Sequence, residues 1–535
     1  MLGGADVFVG FTCLYLLTAG RSPPFGDARP MWEAAESLAR HGSLAIEMRW
    51  PVNAPAGVGG HYYPVAALLA VLIHFPGALL QRLLASVAPG RAPQFIAITS
   101  QLAPVLIGAA IPALFFRVLG RLGHGVRQAA LGALLLGTGT SLWVYAHRPY
   151  SEILQAACFL LFLDALIQAG ERPSRRTALW FGATAALLVN TKNVYFACLP
   201  GAAAYLFWRL GSQRGARKEV VIGAVLGLLP GLVALGLYNH LRWGSVFDSG
   251  YGRVTVGFWR ENVFTGLWGQ LLSPGKSVFL YSPPLLAALA GVGLLWRRRR
   301  HVAVAVVATV VPVALLYCRY LFWSGDWAWG PRYLVFALPA LLLPVVELFG
   351  PPQEDAAAPA PGGHRRRAGQ LAVGALWIAG VVVQLLGNAF YWDDFINVSR
   401  QAQHAWLGRP DVSGTALAPA PCFSCFEEVY PVQWLPAMQP IAGHWWLLHH
   451  KLTGDDWQAA EADAGWKRYT SRTLNIAESY RGAEIDWWPL GAASSGGLAV
   501  ALIAGLLLLA IPLRPWLAAL RTGTGEKSAQ PRREQ

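Results

Sequence analysis

The sequence predicts an all-α polytopic membrane protein with about 12 transmembrane helices. Its 535 residues are 55% hydrophobic and only 13% charged, whereas about 25% of residues in a soluble domain are charged. The mean hydropathy is +0.39, and apolar runs long enough to cross a bilayer recur along the whole chain. The net charge of +14 lies in arginine clusters between these runs, which indicates cytoplasmic loops and argues against nucleic-acid binding.

Apolar segments are defined by their length and continuity. They cover 5–20, 62–80, 94–116, 128–146, 152–169, 177–191, 193–209, 220–238, 277–296, 302–322, 333–349, 371–390 and 496–513. All but 62–80 are predicted to span the bilayer. Segment 62–80 is predicted to be an interfacial or re-entrant helix, because it begins with Tyr62-Tyr63-Pro64 and contains His74 and Pro76. It would form an interfacial helix pair with the helix that follows Asp27 in the first outer loop.

The basic clusters decide how many segments cross. From Arg117 onward, two apolar segments separate each cluster from the next, so all clusters are predicted to lie in the cytoplasm. The parity of the count then requires either an N-terminus outside or an early segment that does not cross. With 62–80 at the interface, both termini are cytoplasmic.

This topology divides the chain into regions. A transmembrane catalytic module at 1–350 precedes a flexible cytoplasmic linker at 351–370, which is rich in Ala and Pro. A helix at 371–390 leads to a polar, Trp-rich periplasmic segment at 391–495, and a last helix at 496–513 precedes a basic tail at 514–535. The first apolar segment lacks a basic leader and a cleavage site, so it is predicted to be retained.

The first outer loop carries the strongest candidate for chemistry. Asp27 follows the first apolar segment and precedes a predicted helix that Gly42 ends. A carboxylate at this position lies at the bilayer surface, where it stays ionised. The alternative is an N-terminal cap, but Pro30 suits the first helical position, which would place the cap at Arg29.

Short motifs follow one another in order along the chain. They are Gly26-Asp27 with the run 35–44, Tyr63-Pro64 before an apolar segment, the run 238–245 with Gly250-Tyr251, the run 272–283, and Trp329-Gly330-Pro331-Arg332-Tyr333-Leu334. Over roughly residues 5–350 they resemble the GT-C glycosyltransferase superfamily, which includes protein O-mannosyltransferases and lipid A aminoarabinose transferases.

The resemblance implies a role for Asp27. In that superfamily an acidic residue in the first outer loop is the general base on the acceptor hydroxyl, and the donor is a sugar on a polyprenyl phosphate. The family often has a second acid beside the first, where this chain has Ala28. Glu33 or Glu36 is expected to assist in its place, and Glu33 is the predicted second catalytic residue, since Glu36 has an exposed position on the helix as its alternative.

Cations on the predicted outer face are few. Glycosyl transfer with inversion needs a base for the incoming hydroxyl and positive charge for the leaving phosphate. Lys192, Arg332, Arg253 and Lys276 are predicted to bind the donor phosphate. Lys192 lies between two apolar runs, and Arg332 opens a helix, where an anion is favoured. Interfacial anchoring is the alternative for both.

Glu152, Asp326 and Trp329 are candidates for binding the acceptor or the sugar. A local ion pair with Arg148 is the favoured alternative for Glu152. Trp329 offers an aromatic face to a sugar, with Asp326 nearby, although tryptophan at a membrane interface is more often an anchor.

The cysteines are predicted to have structural roles and not to bind a metal. Cys422 and Cys425 form a C-x-x-C pattern in the outer segment, which predicts a disulfide if that segment is extracytoplasmic. The remaining cysteines lie in apolar runs and are predicted to be core residues: Cys13, Cys158, Cys198 and Cys318. No metal-ligand spacing occurs in the outer loops, so neither a metal nor another cofactor is expected.

We therefore expect a hexosyl- or pentosyltransferase of the bacterial inner membrane. It would move a sugar from a polyprenyl-phosphate donor in the bilayer to a hydroxyl of an extracytoplasmic glycan, lipid or protein, at a site facing the periplasm. The alternative is a transporter or lipid-linked-glycan flippase. That alternative predicts ionisable groups deep in several spans and repeated broken helices, whereas most spans here have apolar centres. A non-catalytic assembly subunit is a third possibility.

Overall fold

The computed structural model describes residues 2–47, 53–254, 257–350, 363–399, 432–463, 474–488 and 515–519. Within these ranges the regular secondary structure is helical, and the loops that join the helices form a few isolated β-bridges. The cysteines in this part of the chain are buried and unpaired, as expected for core residues: Cys13, Cys158, Cys198 and Cys318. The predicted Cys422–Cys425 disulfide and the predicted last helix, 496–513, lie outside the described residues.

The α-helices are numbered in chain order. They are α1 (Gly4–Leu17), α2 (Ala28–His41), α3 (Leu68–Leu72), α4 (Phe75–Val87), α5 (Ala92–Arg121), α6 (Val126–Gly139), α7 (Leu142–Tyr145), α8 (Glu152–Glu171), α9 (Arg175–Val189), α10 (Cys198–Leu210), α11 (Arg214–Trp243), α12 (Tyr251–Val254), α13 (Val263–Leu272), α14 (Val278–Tyr281), α15 (Ala288–Arg298), α16 (Arg300–Arg319), α17 (Leu338–Glu347), α18 (Gly363–Ala389), α19 (Pro440–Thr453), α20 (Trp457–Asp463) and α21 (Leu474–Gly482).

Helical stretches of membrane-spanning length and composition number 6 in the described residues. They are Leu68–Val87, Pro89–Arg121, Glu152–Glu171, Arg214–Trp243, Arg300–Arg319 and Ala368–Ala389. The first of them contains most of segment 62–80, so its interfacial position remains a prediction, as does the total of about 12 spans.

Several segments that the sequence predicts as continuous helices are divided. Segment 128–146 forms α6 and α7, with a break at Thr140, and segment 277–296 forms α14, a 3₁₀ turn at Pro283–Ala287 and α15. Proline lacks an N–H group and restricts the preceding residue, which accounts for the break at Ser282. Hydropathy records that a segment is apolar, but it does not record such interruptions.

Two predicted boundaries differ from the structure. The stretch 239–276, between the predicted apolar segments 220–238 and 277–296, is partly helical, because α11 continues to Trp243 and an apolar helix, α13, forms within it. α18 begins at Gly363, so it extends into the predicted linker 351–370.

Ion pairs join the basic clusters at one end of the bundle. Arg121 pairs with Glu171 at 2.9 Å, and Arg298 and Arg299 each pair with the buried Glu347 at 3.1 Å. We call this the basic end. α8 has Glu171 at its last position and Glu152 at its first. Since a helix rises 1.5 Å per residue, Glu152 lies about 30 Å away, at the opposite end.

The chain beyond α18 packs on this opposite end. His444 Nδ1 of α19 donates a hydrogen bond to Leu386 O, 2.9 Å away. Asp486 forms a buried ion pair with Arg148 at 2.6 Å, and its other oxygen accepts a hydrogen bond from the backbone N–H of Arg21 at 2.8 Å. The segment after α21 therefore closes over the start of the first outer loop.

Candidate active site

Asp27 occupies the position before α2, but it does not cap that helix. The helix begins at Ala28, two residues earlier than Pro30 indicated, and the Asp27 side chain makes no cap hydrogen bond. Its Oδ1 accepts a hydrogen bond from Asn53 Nδ2 at 2.9 Å, and its Oδ2 is bonded to the Arg332 guanidinium. The side chain is 41% exposed. The carboxylate is therefore positioned by partners outside its helix and remains accessible.

Arg332 holds two carboxylates at once. Its Nη2 donates to Asp27, and its Nε donates to Glu152 Oε1 at 2.5 Å. The guanidinium also lies over the ring of Tyr150, 5.2 Å from its centre. A planar guanidinium presents several donors in fixed directions, so it can join two acids that come from different helices. As predicted, Arg332 opens a helical turn, the 3₁₀ segment Arg332–Ala337.

Glu152 differs from its favoured interpretation. A local ion pair with Arg148 was the expectation, and it is wrong, because Arg148 pairs with Asp486 and Glu152 pairs with Arg332. The Glu152 side chain is only 2% exposed. Its charge is compensated by the guanidinium, as burial of a carboxylate requires.

Lys192 completes the charged group. Its ammonium lies over the rings of Tyr333 and Tyr317, at 4.8 and 5.3 Å, and these two rings are stacked 4.3 Å apart. Burial lowers the pKa of Lys192 to about 8, although the Glu152 charge partly opposes that shift. Asp27 is partly buried, and its partial loss of water favours the neutral form, but the charges of Arg332 and Lys192 outweigh this effect and lower the pKa of Asp27 below the ordinary value.

The turn before Arg332 is held by a buried lysine. Lys276 Nζ donates to the backbone oxygens of Asp326 and Ala328, at 2.7 and 2.6 Å, and burial lowers the pKa of Lys276 to about 7. Asp326 adopts a left-handed backbone, with φ of 54°. Burial and then the neighbouring charge of Asp27 raise the pKa of Asp326 to about 7. This turn therefore contributes a titratable acid near Asp27.

The other predicted site residues lie in different surroundings. Trp329 is a core residue, 1% exposed, whose ring packs edge-on against Tyr281, 5.0 Å away. Arg253 forms an ion pair with Asp248 at 2.8 Å. Glu33 forms an ion pair with Arg29 at 2.6 Å.

Three residues of the site were not predicted from the sequence: Asn53, Tyr150 and Tyr317. Tyr150 lies two residues before Glu152 in a short turn between apolar segments, a position that could have identified it. Its hydroxyl donates to Phe25 O at 2.9 Å, and this bond ties the first outer loop to the start of α8. Asn53 and Tyr317 carry no comparable signal, because their role depends on which helices meet.

One group in the described residues has the composition of a metal site. His449, His450 and Asp455 place their ligand atoms within 4.8 Å of one another. His450 is already bonded to Asp455 at 2.9 Å and to Asp463 at 3.2 Å. The two histidines belong to α19 and Asp455 to the connection between α19 and α20, and not to the elements that carry Asp27, Glu152 and Arg332.

The chain matches no protein-family model and no curated protein sequence. Its structure is similar to ArnT from Cupriavidus metallidurans in the apo state, at 15% identity and a TM-score of 0.45, covering 92% of this chain and 78% of that chain. The same protein bound to undecaprenyl phosphate matches at 14% identity and 0.46, covering 92% and 87%. The apo oligosaccharyltransferase of Archaeoglobus fulgidus matches at 12% identity and 0.42, covering 83% and 63%.

Proposed function

We propose that the protein is an integral membrane glycosyltransferase. It transfers a sugar from a polyprenyl-phosphate donor to an acceptor hydroxyl on the periplasmic side of a bacterial inner membrane. The observation that carries the proposal is the group formed by Asp27, Arg332, Glu152 and Lys192. It combines one accessible carboxylate with two cations at the end of the bundle opposite the basic clusters.

Asp27 is the general base. The acceptor hydroxyl loses its proton to the Asp27 carboxylate while its oxygen forms a bond to the anomeric carbon of the donor sugar. The bond between that carbon and the phosphate oxygen breaks, and the polyprenyl phosphate leaves with the electron pair. The exposure of the Asp27 side chain, 41%, gives an acceptor access to it, and a positioned base contributes about 10²- to 10⁴-fold to such a reaction.

Arg332 and Lys192 bind the donor phosphate. Guanidinium–phosphate hydrogen bonds are charge-assisted and among the strongest in proteins. Arg332 is bonded to Asp27 before the donor binds, so an arriving phosphate competes with Asp27 for the same donors. When the phosphate takes them, Asp27 loses the partner that lowers its pKa and becomes a better base. Donor binding then precedes deprotonation of the acceptor.

Glu152 is a positioning residue for Arg332. It is nearly inaccessible and bonds to Nε, so it holds the arginine while the Nη donors change partner. Lys276 has a similar indirect role, because its ammonium fixes the turn that leads to Arg332. Arg253 is assigned to the edge of the donor site and Glu33 to the edge of the acceptor site. Asp326 is assigned to binding of the sugar.

The test is direct. The purified protein in proteoliposomes is incubated with a panel of polyprenyl-phosphate hexoses and pentoses and with envelope glycans, lipids or proteins as acceptors. We expect free polyprenyl phosphate to appear, and we expect one of the acceptors to gain the mass of one sugar residue. If no donor is consumed while fluorescent lipid-linked glycans cross the bilayer, the protein is a flippase and the proposal is wrong.

A further inference from the structure

An apolar cavity lies between α9, α10 and α11, in the half of these helices near the basic end. Its volume is about 190 Å³. The walls are apolar side chains, such as Phe181, Leu199, Leu206 and Leu228, and the one charged residue in its lining is Arg217. The cavity does not include any residue of the Asp27 site.

Glycines explain why the three helices leave this gap. A methyl group on Gly182 of α9 would stand 2.1 Å from the backbone oxygen of Ala224 in α11, so these helices touch backbone to backbone. A methyl group on Gly201 of α10 would stand 1.8 Å from the backbone oxygen of Ala308 in α16. α10 is therefore drawn towards α16 and α11 towards α9. Small residues permit this kind of approach between membrane helices.

The cavity matches one leaflet in length. Its lining on α11 runs from Arg217 to Leu228, which is about 16 Å at 1.5 Å per residue. Half of the hydrocarbon core of a bilayer is about 15 Å. Beside the cavity, Phe207 and Val225 are 50% and 55% exposed, so the gap faces lipid. An open apolar gap of this kind is filled by hydrocarbon chains, because interiors do not retain voids.

Positive charge lies at the basic end of the cavity. The Arg217 guanidinium is 5.6 Å from the centre of the Phe207 ring, and its Nη2 donates weakly to Phe207 O at 3.5 Å. Its Nε is buried and has no hydrogen-bond partner in the described part of the chain. Arg214 and Lys218 are neighbours on the same helix end. The unpaired N–H group of Arg217 is suited to a phosphate group.

We propose that this cavity binds an acyl chain of an anionic glycerophospholipid, with the lipid phosphate on Arg217. The lipid comes from the leaflet at the basic end. The polyprenyl donor requires the opposite end, so the two lipids occupy different sites. This inference does not depend on the proposed transferase activity.

Native mass spectrometry of the full-length protein tests the inference. The protein is released from detergent micelles that contain equal amounts of phosphatidylglycerol and phosphatidylcholine. We expect phosphatidylglycerol to be retained about 10-fold more, since one charge-assisted contact supplies a factor of this size. Arg217→Gln should remove the preference. Arg214→Gln loses the same charge from an exposed residue three positions earlier and should keep it.

A second variant tests the chain-binding part of the cavity. Ala203 lines the cavity, so Ala203→Phe should reduce retention of both lipids by filling it. Size-exclusion chromatography confirms that each variant is folded. Equal retention by Arg217→Gln and Arg214→Gln would overturn the assignment of the phosphate. Unchanged retention in Ala203→Phe, or displacement of phosphatidylglycerol by undecaprenyl phosphate at equal concentration, would overturn the choice of occupant.

Discussion

Arg332 connects the two acids of the site, and this connection determines how each of them behaves. Glu152 is buried and compensated, so it contributes geometry. Asp27 is accessible and shares the same guanidinium, so its proton affinity depends on what else Arg332 binds. One residue thereby links donor recognition to acid–base chemistry, as expected where opposite charges shift a pKa through close contact.

Asp27→Asn should lower the transfer rate by about 10²- to 10⁴-fold, because an amide cannot accept the acceptor proton. The amide oxygen still accepts the hydrogen bond from Arg332. The amide NH2 donates to the side-chain oxygen of Asn53 once the Asn53 amide has turned over, so we expect the protein to elute and melt as the wild type does. The rate is measured as release of polyprenyl phosphate. The matched control is Glu36→Gln, which removes an acid that pairs with Arg40 on the same helix. Asp27 is not the base if Asp27→Asn and Glu36→Gln have similar rates.

Donor affinity should fall as the pH rises through about 8, the pKa of Lys192. The lysine is charged below this pH and attracts the phosphate, and it is neutral above it. The effect appears in kcat/KM for the donor, which reports the free enzyme. Lys192→Arg should retain affinity at high pH because a guanidinium stays charged.

Asp326 also titrates nearby, with a pKa of about 7, and its negative charge above that pH would repel a phosphate. Asp326→Asn separates the two effects, since the loss of affinity near pH 8 should persist in this variant. A profile that Lys192→Arg leaves unchanged would exclude Lys192 from donor binding.

At the scale of elements, the chemistry lies at the ends of helices. Glu152 begins α8, Asp27 precedes α2, and Arg332 begins a 3₁₀ turn. The sequence predicted these placements, because apolar segments have visible ends and a charged residue beside one is conspicuous. The partners were not predictable. Glu152 and Arg332 are 180 residues apart, and their contact depends on how α8 packs against that turn, which hydropathy does not encode.

The buried ion pair between Arg148 and Asp486 is a second contact between distant parts of the chain. Asp486→Asn leaves the Arg148 charge buried without a counter-charge, which should destabilise the protein by about 3–5 kcal/mol. We expect a clearly lower melting temperature in detergent. Glu484→Gln removes a neighbouring acid whose ion pair with Arg21 is exposed, 3.5 Å long, and should change little. Equal melting temperatures for the two variants would show that the buried pair does not hold the C-terminal segment.

At the scale of the whole molecule, the ion pairs place the basic clusters and the candidate site at opposite ends of the helix bundle. Labelling of introduced cysteines determines which end faces outward. His41 and Ser212 are exposed near the two ends. In a Cys422→Ser/Cys425→Ser background, His41→Cys should react with an impermeant maleimide in intact bacterial spheroplasts. Ser212→Cys should react only after the membrane is permeabilised. The reverse pattern would place Asp27 in the cytoplasm and contradict the positive-inside assignment.

The contact between Asp486 and the first outer loop also constrains biosynthesis. Asp486 accepts hydrogen bonds from the backbone of Arg21 and from Ser22, residues about 465 positions earlier. A ribosome makes about 5–20 residues per second, so the loop that carries Asp27 waits roughly half a minute or more for this partner. Most helices of a nascent chain are therefore inserted before the candidate active site is complete. A product that terminates before Asp486 lacks the residue that holds the start of the loop carrying Asp27.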